Sequence, residues 1–254
     1  MRGRRVVALR VRERRLRWPI ARGLERRLAG QRLKAVERRA KYLLLRFERG
    51  TLIVHLGMSG SVRLVDAAVP PRPHDHWELA MEGPLALRFH DPRRFGSLHY
   101  TEAEPEAHPL LASLGPEPLS PAFDGEYLYR ATRGRKVALK QLLMNSRIVV
   151  GVGNIYASEA LFRAHLSPRR AAGRLTRAQA TALAQAVKDV LGDAIRIGGT
   201  TLRDYVNPEG EPGYFSQQLF VYERAGEPCR VCGTPIKQRV QGQRSTYWCP
   251  TCQV

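Results

Sequence analysis

The four cysteines of this chain stand as two pairs, Cys229-x-x-Cys232 and, after 16 intervening residues, Cys249-x-x-Cys252. Two such knuckles at this separation are the pattern of a four-thiolate zinc ribbon. A segment this short buries little core, so metal ligation is expected to supply its folding energy. The competing arrangement, a pair of disulfides, belongs to an oxidising compartment, and no signal-peptide pattern is present to send the chain there. Four protein ligands leave no open position for water, so the expected ion is one structural zinc rather than a catalytic one.

Between the knuckles, Lys237-Gln-Arg-Val-Gln-Gly-Gln-Arg244 holds three cations and no acid. As a hairpin tip it suits contact with phosphate, and as a plain solvated turn it needs no partner. Gly151-Val-Gly153 precedes a helical segment, where backbone N–H groups face an anion and Asn154 adds a side-chain donor. Only six of the 42 cationic residues are lysines: Lys34, Lys41, Lys136, Lys140, Lys188 and Lys237. Lysine, unlike arginine, can release its proton and do chemistry.

The whole composition leans the same way. Lys and Arg outnumber Asp and Glu by 42 to 23, a formal charge of +19. A field of that sign draws polyanions, nucleic acid first among them. An anionic membrane surface is the rival, but no basic amphipathic helix with an aromatic face stands out. No run of 18 apolar residues offers a membrane span. Val6 to Leu9 is too short for a signal-peptide core and Arg10 interrupts it, so a cytoplasmic location is expected.

These groups need a scaffold. Residues 4–100 read as mostly strand, with Val6–Val11, Tyr42–Phe47, Thr51–His55 and Leu85–Phe89 as short β-prone runs. That rhythm predicts a β-sandwich or barrel. Pro19 to Leu28 reads as a short helix with Pro19 near its first turn, and Pro70 to Pro73 as a loop. Leu114 to Pro121, with three prolines and a glycine, marks a domain boundary. Helices follow: Asn154 to Ala164, then one opened by a capping box at Thr176-Arg-Ala-Gln179. Leu183, Val187, Val190, Leu191, Ala194 and Ile195 form its apolar stripe, and Gly198-Gly199 is expected to stop it. The intervals Thr234–Ile236 and Ser245–Trp248 read as the two strands of the ribbon hairpin.

Arg38-Arg-Ala-Lys-Tyr42, His55-Leu-Gly-Met-Ser-Gly60, His74-Asp-His76, Asp91-Pro-Arg-Arg-Phe-Gly96, Val150-Gly-Val-Gly-Asn-Ile-Tyr-Ala-Ser-Glu159 and Pro212-Gly-Tyr-Phe215 occur in that order. With the cysteine ribbon, they make the chain resemble the bacterial formamidopyrimidine-DNA glycosylase family from about Gly3 to its end. The resemblance implies an α+β multidomain fold: a β-sandwich over residues 1–113, a linker over 114–124, a helix-two-turn-helix domain over 125–227 and a four-cysteine zinc finger over 228–254. It implies a monomeric bacterial enzyme of base-excision repair, bound to the nucleoid through its DNA. Such an enzyme flips an oxidised purine out of double-stranded DNA, cleaves the glycosidic bond and nicks the strand at the abasic site.

By that resemblance Met58, Arg93 and Phe95 fill the hole left by the extruded base, as a pliable apolar chain, a planar cation and a wedge-like ring. From the residues alone, ordinary core packing is the favoured reading of Met58 and Phe95. Asn154, Arg244 and His74 would hold phosphate beside the lesion, with Arg135 or Lys136 also on the DNA face. Lys41 would approach that phosphate and assist elimination, so Lys41 and Arg244 are the candidate catalytic residues. His74 and His76 as a zinc pair, or as a loop pair without a role, are the alternatives.

Family members begin Pro-Glu-Leu-Pro-Glu, whose proline amine attacks the sugar C1′ and whose glutamate manages protons. This chain begins Met1-Arg-Gly-Arg, as if about 17 residues, a helix and both groups, were absent. Either the true start lies upstream of Met1, which is the expectation, or the chain binds lesions without cutting. The 254 residues as written are expected to lack useful glycosylase activity and to be less stable than an extended version. Two further readings stand: an endonuclease VIII-like enzyme for oxidised pyrimidines, and a zinc-ribbon regulator that binds DNA or RNA by sequence.

Overall fold

The computed structural model describes residues 1–197 and 219–254. Gly198-Gly199 and Pro212–Phe215 lie outside the described residues. Two compact units divide the chain, Met1–Ala112 and Ser113–Val254.

The first unit is a β-sandwich. One sheet has the order β1 (Val6–Val11), β6 (Asp75–Met81), β7 (Leu85–His90), β5 (Ser61–Asp66), and the other β2 (Leu33–Arg39), β3 (Tyr42–Phe47), β4 (Thr51–His55), β8 (Ser97–Thr101). Every pairing in both sheets is antiparallel. The inner faces meet over Leu9, Leu45, Leu52, Val54, Trp77, Leu79, Phe89 and Leu98, each buried. Each such side chain contributes about 1.5–3 kcal/mol on burial, and this core keeps the strand ends in register.

The segment predicted as a helix from Pro19 is helical only as α1 (Leu24–Leu28). Pro19 instead bridges to Arg15, and Gly23 at φ 80° separates the two. A left-handed residue cannot continue a right-handed helix, so the start is pushed back.

Among the described residues, four α-helices organise the second unit: α2 (Gly125–Thr132), α3 (Leu139–Leu143), α4 (Asn154–Arg163) and α5 (Arg177–Arg196). The capping box of α5 forms in both directions, with Thr176 accepting from Gln179 N and the Gln179 side chain accepting from Thr176 N. Leu183, Val187, Val190, Leu191 and Ala194 are buried, but Ile195 is 66% exposed. At 3.6 residues per turn Ile195 lies about 80° round from Val187, on the rim of the stripe.

The ribbon hairpin pairs β9 (Lys237–Gln241) with β10 (Arg244–Trp248). Its first strand therefore begins three residues later than Thr234, and most of the predicted basic loop is strand. The turn is only Gly242 and Gln243, at φ 56° and 59°. Two successive left-handed residues are what a tight two-residue hairpin demands. Ile236, Tyr247 and Val221 bury against Phe162 of α4 in a small core of their own.

Candidate nucleic-acid interface and metal centre

In the first unit, topology collects five predicted residues at one end. The β4–β5 loop carries Met58 and runs from one sheet to the other, and the β7–β8 loop with Arg93 and Phe95 makes the return crossing. Their anchors are paired, His55 with Ser97 and Ser61 with His90. Lys41 sits on the two-residue turn between Arg39 and Tyr42, and Tyr42 pairs with His55, so that turn lies at the same end. His74 immediately precedes Asp75, which pairs with His90.

Asp91 ties the two crossing loops together. Its carboxylate is fully buried and accepts from Ser59 Oγ at 2.8 Å and from Gly96 N at 2.8 Å. Its carbonyl oxygen lies 2.7 Å from His76 Nε2, so His76 is a buried brace rather than a ligand facing outward. Gly57 (φ 72°) lets the loops touch, since a Cβ there would stand 2.6 Å from the Phe95 carbonyl carbon.

On this platform the three void-filling candidates project outward. Met58 is 65% and Phe95 44% exposed. Arg93 Nη2 approaches Met58 Sδ at 3.3 Å, and its guanidinium carbon stands 5.0 Å from the centre of the Phe95 ring. Large apolar side chains clustered in water mark a surface built for a partner. The core reading of Met58 and Phe95 is thereby corrected.

Nearby charge is mostly positive. Lys41 and His74 are exposed. His74 is held in a left-handed turn (φ 69°), where Asp75 accepts from Arg72 N at 2.8 Å and lies 3.1 Å from His90 Nδ1. His55 is pushed below the ordinary histidine range by burial, then by the charges of Lys41 and Arg17. Its Nδ1 accepts from Gly57 N at 3.0 Å, which suits the neutral ring. Arg17 is a cation at this end that sequence reasoning missed; its N–H donates to Gly96 O, but no local pattern announces it.

The second unit holds the metal centre. The sulfur atoms of Cys229, Cys232, Cys249 and Cys252 lie within 4.8 Å of one another. Cys232 and Cys249 are 3.4 Å apart, and Cys229 and Cys252 3.9 Å. A tetrahedral zinc with bonds of about 2.3 Å spaces its sulfurs by about 3.8 Å, so the four residues fit one structural zinc. Burial pushes the Cys249 and Cys252 thiols up, whereas hydrogen bonding with Thr234 holds the Cys232 thiol down to about 6.

Asn154 opens α4. Gly153, before it, has no side chain to cap the first N–H groups of the helix. Asn154 Nδ2 donates to Tyr222 Oη at 3.2 Å, and Asn154 Oδ1 is buried without a hydrogen bond. Tyr222 packs edge-on against Tyr247 at 5.0 Å. Burial pushes its phenol up, while the nearby charge of Arg244 works against that rise. Asn154 and Tyr222 thus form a hydrogen-bonded pair, and the charge of Arg244, exposed at the foot of β10, is felt at Tyr222. Tyr222 escaped the sequence reading because a lone tyrosine carries no spacing signal. Arg135 and Lys136 are exposed in the α2–α3 connection, where Arg135 Nε donates to Ala131 O.

A β-sandwich followed by a helix-two-turn-helix unit and a four-cysteine finger defines a class of DNA-repair protein. Residues 1–98 match the formamidopyrimidine-DNA glycosylase N-terminal domain, residues 114–206 the H2TH domain of the same enzymes, and residues 226–254 the zinc finger found in FPG and IleRS. The formamidopyrimidine-DNA glycosylase of Methylococcus capsulatus is 58% identical over 251 residues, covering 99% of this chain and 93% of that one. That of Thioalkalivibrio sulfidiphilus has the same identity and coverage. The crystal structure of MutM (FPG) from Thermus thermophilus superposes with a TM-score of 0.86 at 42% identity, over 100% of this chain and 92% of that one. A mutant Lactococcus lactis FPG in complex with Fapy-dG containing DNA gives 0.89 at 28% identity, over 99% and 93%. The chain belongs to the formamidopyrimidine-DNA glycosylase family.

Proposed function

We propose that this protein works in base-excision repair as a glycosylase and abasic-site lyase for oxidised purines in double-stranded DNA. The observation that carries this reading is the exposed Met58–Arg93–Phe95 group on a platform fixed by a buried carboxylate. An extruded base leaves a hole that must be filled, and unstacking costs a few kcal/mol. An apolar chain and a ring replace the lost stacking, and the guanidinium bonds the widowed base. Lys41 and His74 in one unit, and Asn154, Tyr222 and Arg244 in the other, would each take phosphate oxygens. Arg135 and Lys136 would add contacts along the duplex. The charge of +19 supports such a grip and implies steep loss of affinity with salt.

The same reading makes the protein a cytoplasmic monomer. Among the described residues no helix is long and apolar enough to cross a membrane.

Binding to matched duplexes carrying 8-oxoguanine, an abasic analogue or no lesion tests this reading. The expected result is at least tenfold preference for either lesion over intact DNA. Equal affinity for all three duplexes overturns it.

A further inference from the structure

Lys140, on α3, is 1% exposed although it is a lysine in a protein whose other cations mostly face water. Its ammonium donates to Ser245 O at 2.8 Å and to Thr246 Oγ1 at 2.9 Å. Both acceptors are neutral, and among the described residues no carboxylate reaches it. Burying a cation without an anion is costly, and hydrogen bonds to neutral oxygens offset only part of that cost. The neighbouring charge is Arg244, which has the same sign and, with burial, holds the Lys140 ammonium down to about 8.

The rest of α3 docks against the same hairpin. The Gln141 side chain lies under the turn so closely that a Cβ on Gly242 would stand 2.3 Å from its Nε2. Gln241 Nε2 adds a bond to Pro168 O at 3.5 Å. The two residues following Arg244, Ser245 through its carbonyl and Thr246 through its hydroxyl, are therefore clamped by a residue 105 and 106 positions earlier in the chain.

We infer that Lys140 is a positioning residue: it fixes the β10 strand so that Arg244 meets a DNA phosphodiester, and it sets a second positive charge behind that subsite. Two neighbouring cations with no carboxylate partner among the described residues are satisfied when an anion arrives, and a phosphodiester oxygen has the charge and size to be that anion. This inference rests on the reading of Arg244 as a phosphate contact.

The test compares the wild-type chain with Lys140→Met, Arg244→Ala and the double variant. Affinity for a duplex with an abasic analogue is followed from about 50 to 200 mM salt, with bound zinc measured throughout. Each phosphate contact contributes about 0.9 to the log–log salt slope. Arg244→Ala should flatten the slope by about that amount and weaken binding roughly tenfold. Lys140→Met should do the same with zinc still bound at one equivalent, and the double variant should be little worse than either. If Arg244→Ala leaves the slope unchanged, the phosphate reading itself fails. If Arg244→Ala flattens it but Lys140→Met does not, or if the two effects multiply, the positioning role is wrong. Should Lys140→Met shed its zinc, Thr246→Val removes one of the two bonds and leaves the charge. A loss of about threefold, absent when Arg244 is already alanine, then supports the inference, and no loss overturns it.

Discussion

The outward-facing triad of the sandwich and the basic hairpin of the zinc ribbon both present cations to solvent, yet they are held in different ways. The triad stands on loops whose ends are strands of a large apolar core, and one buried carboxylate fastens the loops to each other. The hairpin has two short strands of mostly polar residues, and its shape depends on four sulfurs at one end and on α3 beneath it. A site on a packed sandwich can lose a side chain and keep its frame. A site on a ribbon has its frame and its function tied to the same few bonds.

The largest way to break that symmetry is to remove the metal. Structural zinc supplies about 10–16 kcal/mol in small domains of this kind. A chelator under reducing conditions should unfold residues 226–254 and cost most of the DNA affinity. The β-sheet signal of the first unit should persist in circular dichroism. Joint melting of both units on chelation would contradict a sandwich held by its own core.

Next in size is Asp91→Ala. It strands Ser59 Oγ and Gly96 N, each bonded to a charged acceptor, at about 1.5–3 kcal/mol apiece. Denaturant titration should show a loss of about 3–6 kcal/mol in the first unit, with lesion preference lost as the loops part. Met58→Ala is the sharper partner experiment. Met58 is 65% exposed, so stability should move by no more than about 0.5 kcal/mol while lesion preference falls several-fold. Equal damage to stability by the two substitutions would refute the platform.

The smallest effect is one of pH. Lys140 is held at about 8, below the ordinary lysine value of 10.5. Between those values the unfolded chain binds the proton that the folded chain has released, so folding is favoured as pH rises. The stability of the wild-type chain relative to Lys140→Met should therefore climb between about pH 8 and 10.5 and stay level below pH 8. A flat difference across the window would mean that the ammonium is solvated.

What was legible in the sequence was whatever is encoded locally. Cysteine spacing reports ligand geometry directly, and the capping box at Thr176 is a contact between residues three apart. The edges of the ribbon strands were misplaced because Lys237–Gln241 is polar on both faces and shows no alternation. The role of Asp91 was invisible, since its partner Ser59 lies 32 residues away. Lys140 and Tyr222 were invisible for the same reason: each gains its meaning from a strand or helix distant in the chain. Motif resemblance supplied the residues of the triad, but their exposure, and the carboxylate that makes it possible, came only from the fold.

The measurement that bears most directly on the central claim is the fluorescence of 2-aminopurine placed next to an abasic analogue in a duplex. The account predicts a rise when the wild-type chain binds, as the stack opens around the inserted side chains, and little rise with Met58→Ala, Arg93→Ala and Phe95→Ala combined at saturating protein. An equal rise with both proteins, or none with either, would contradict it.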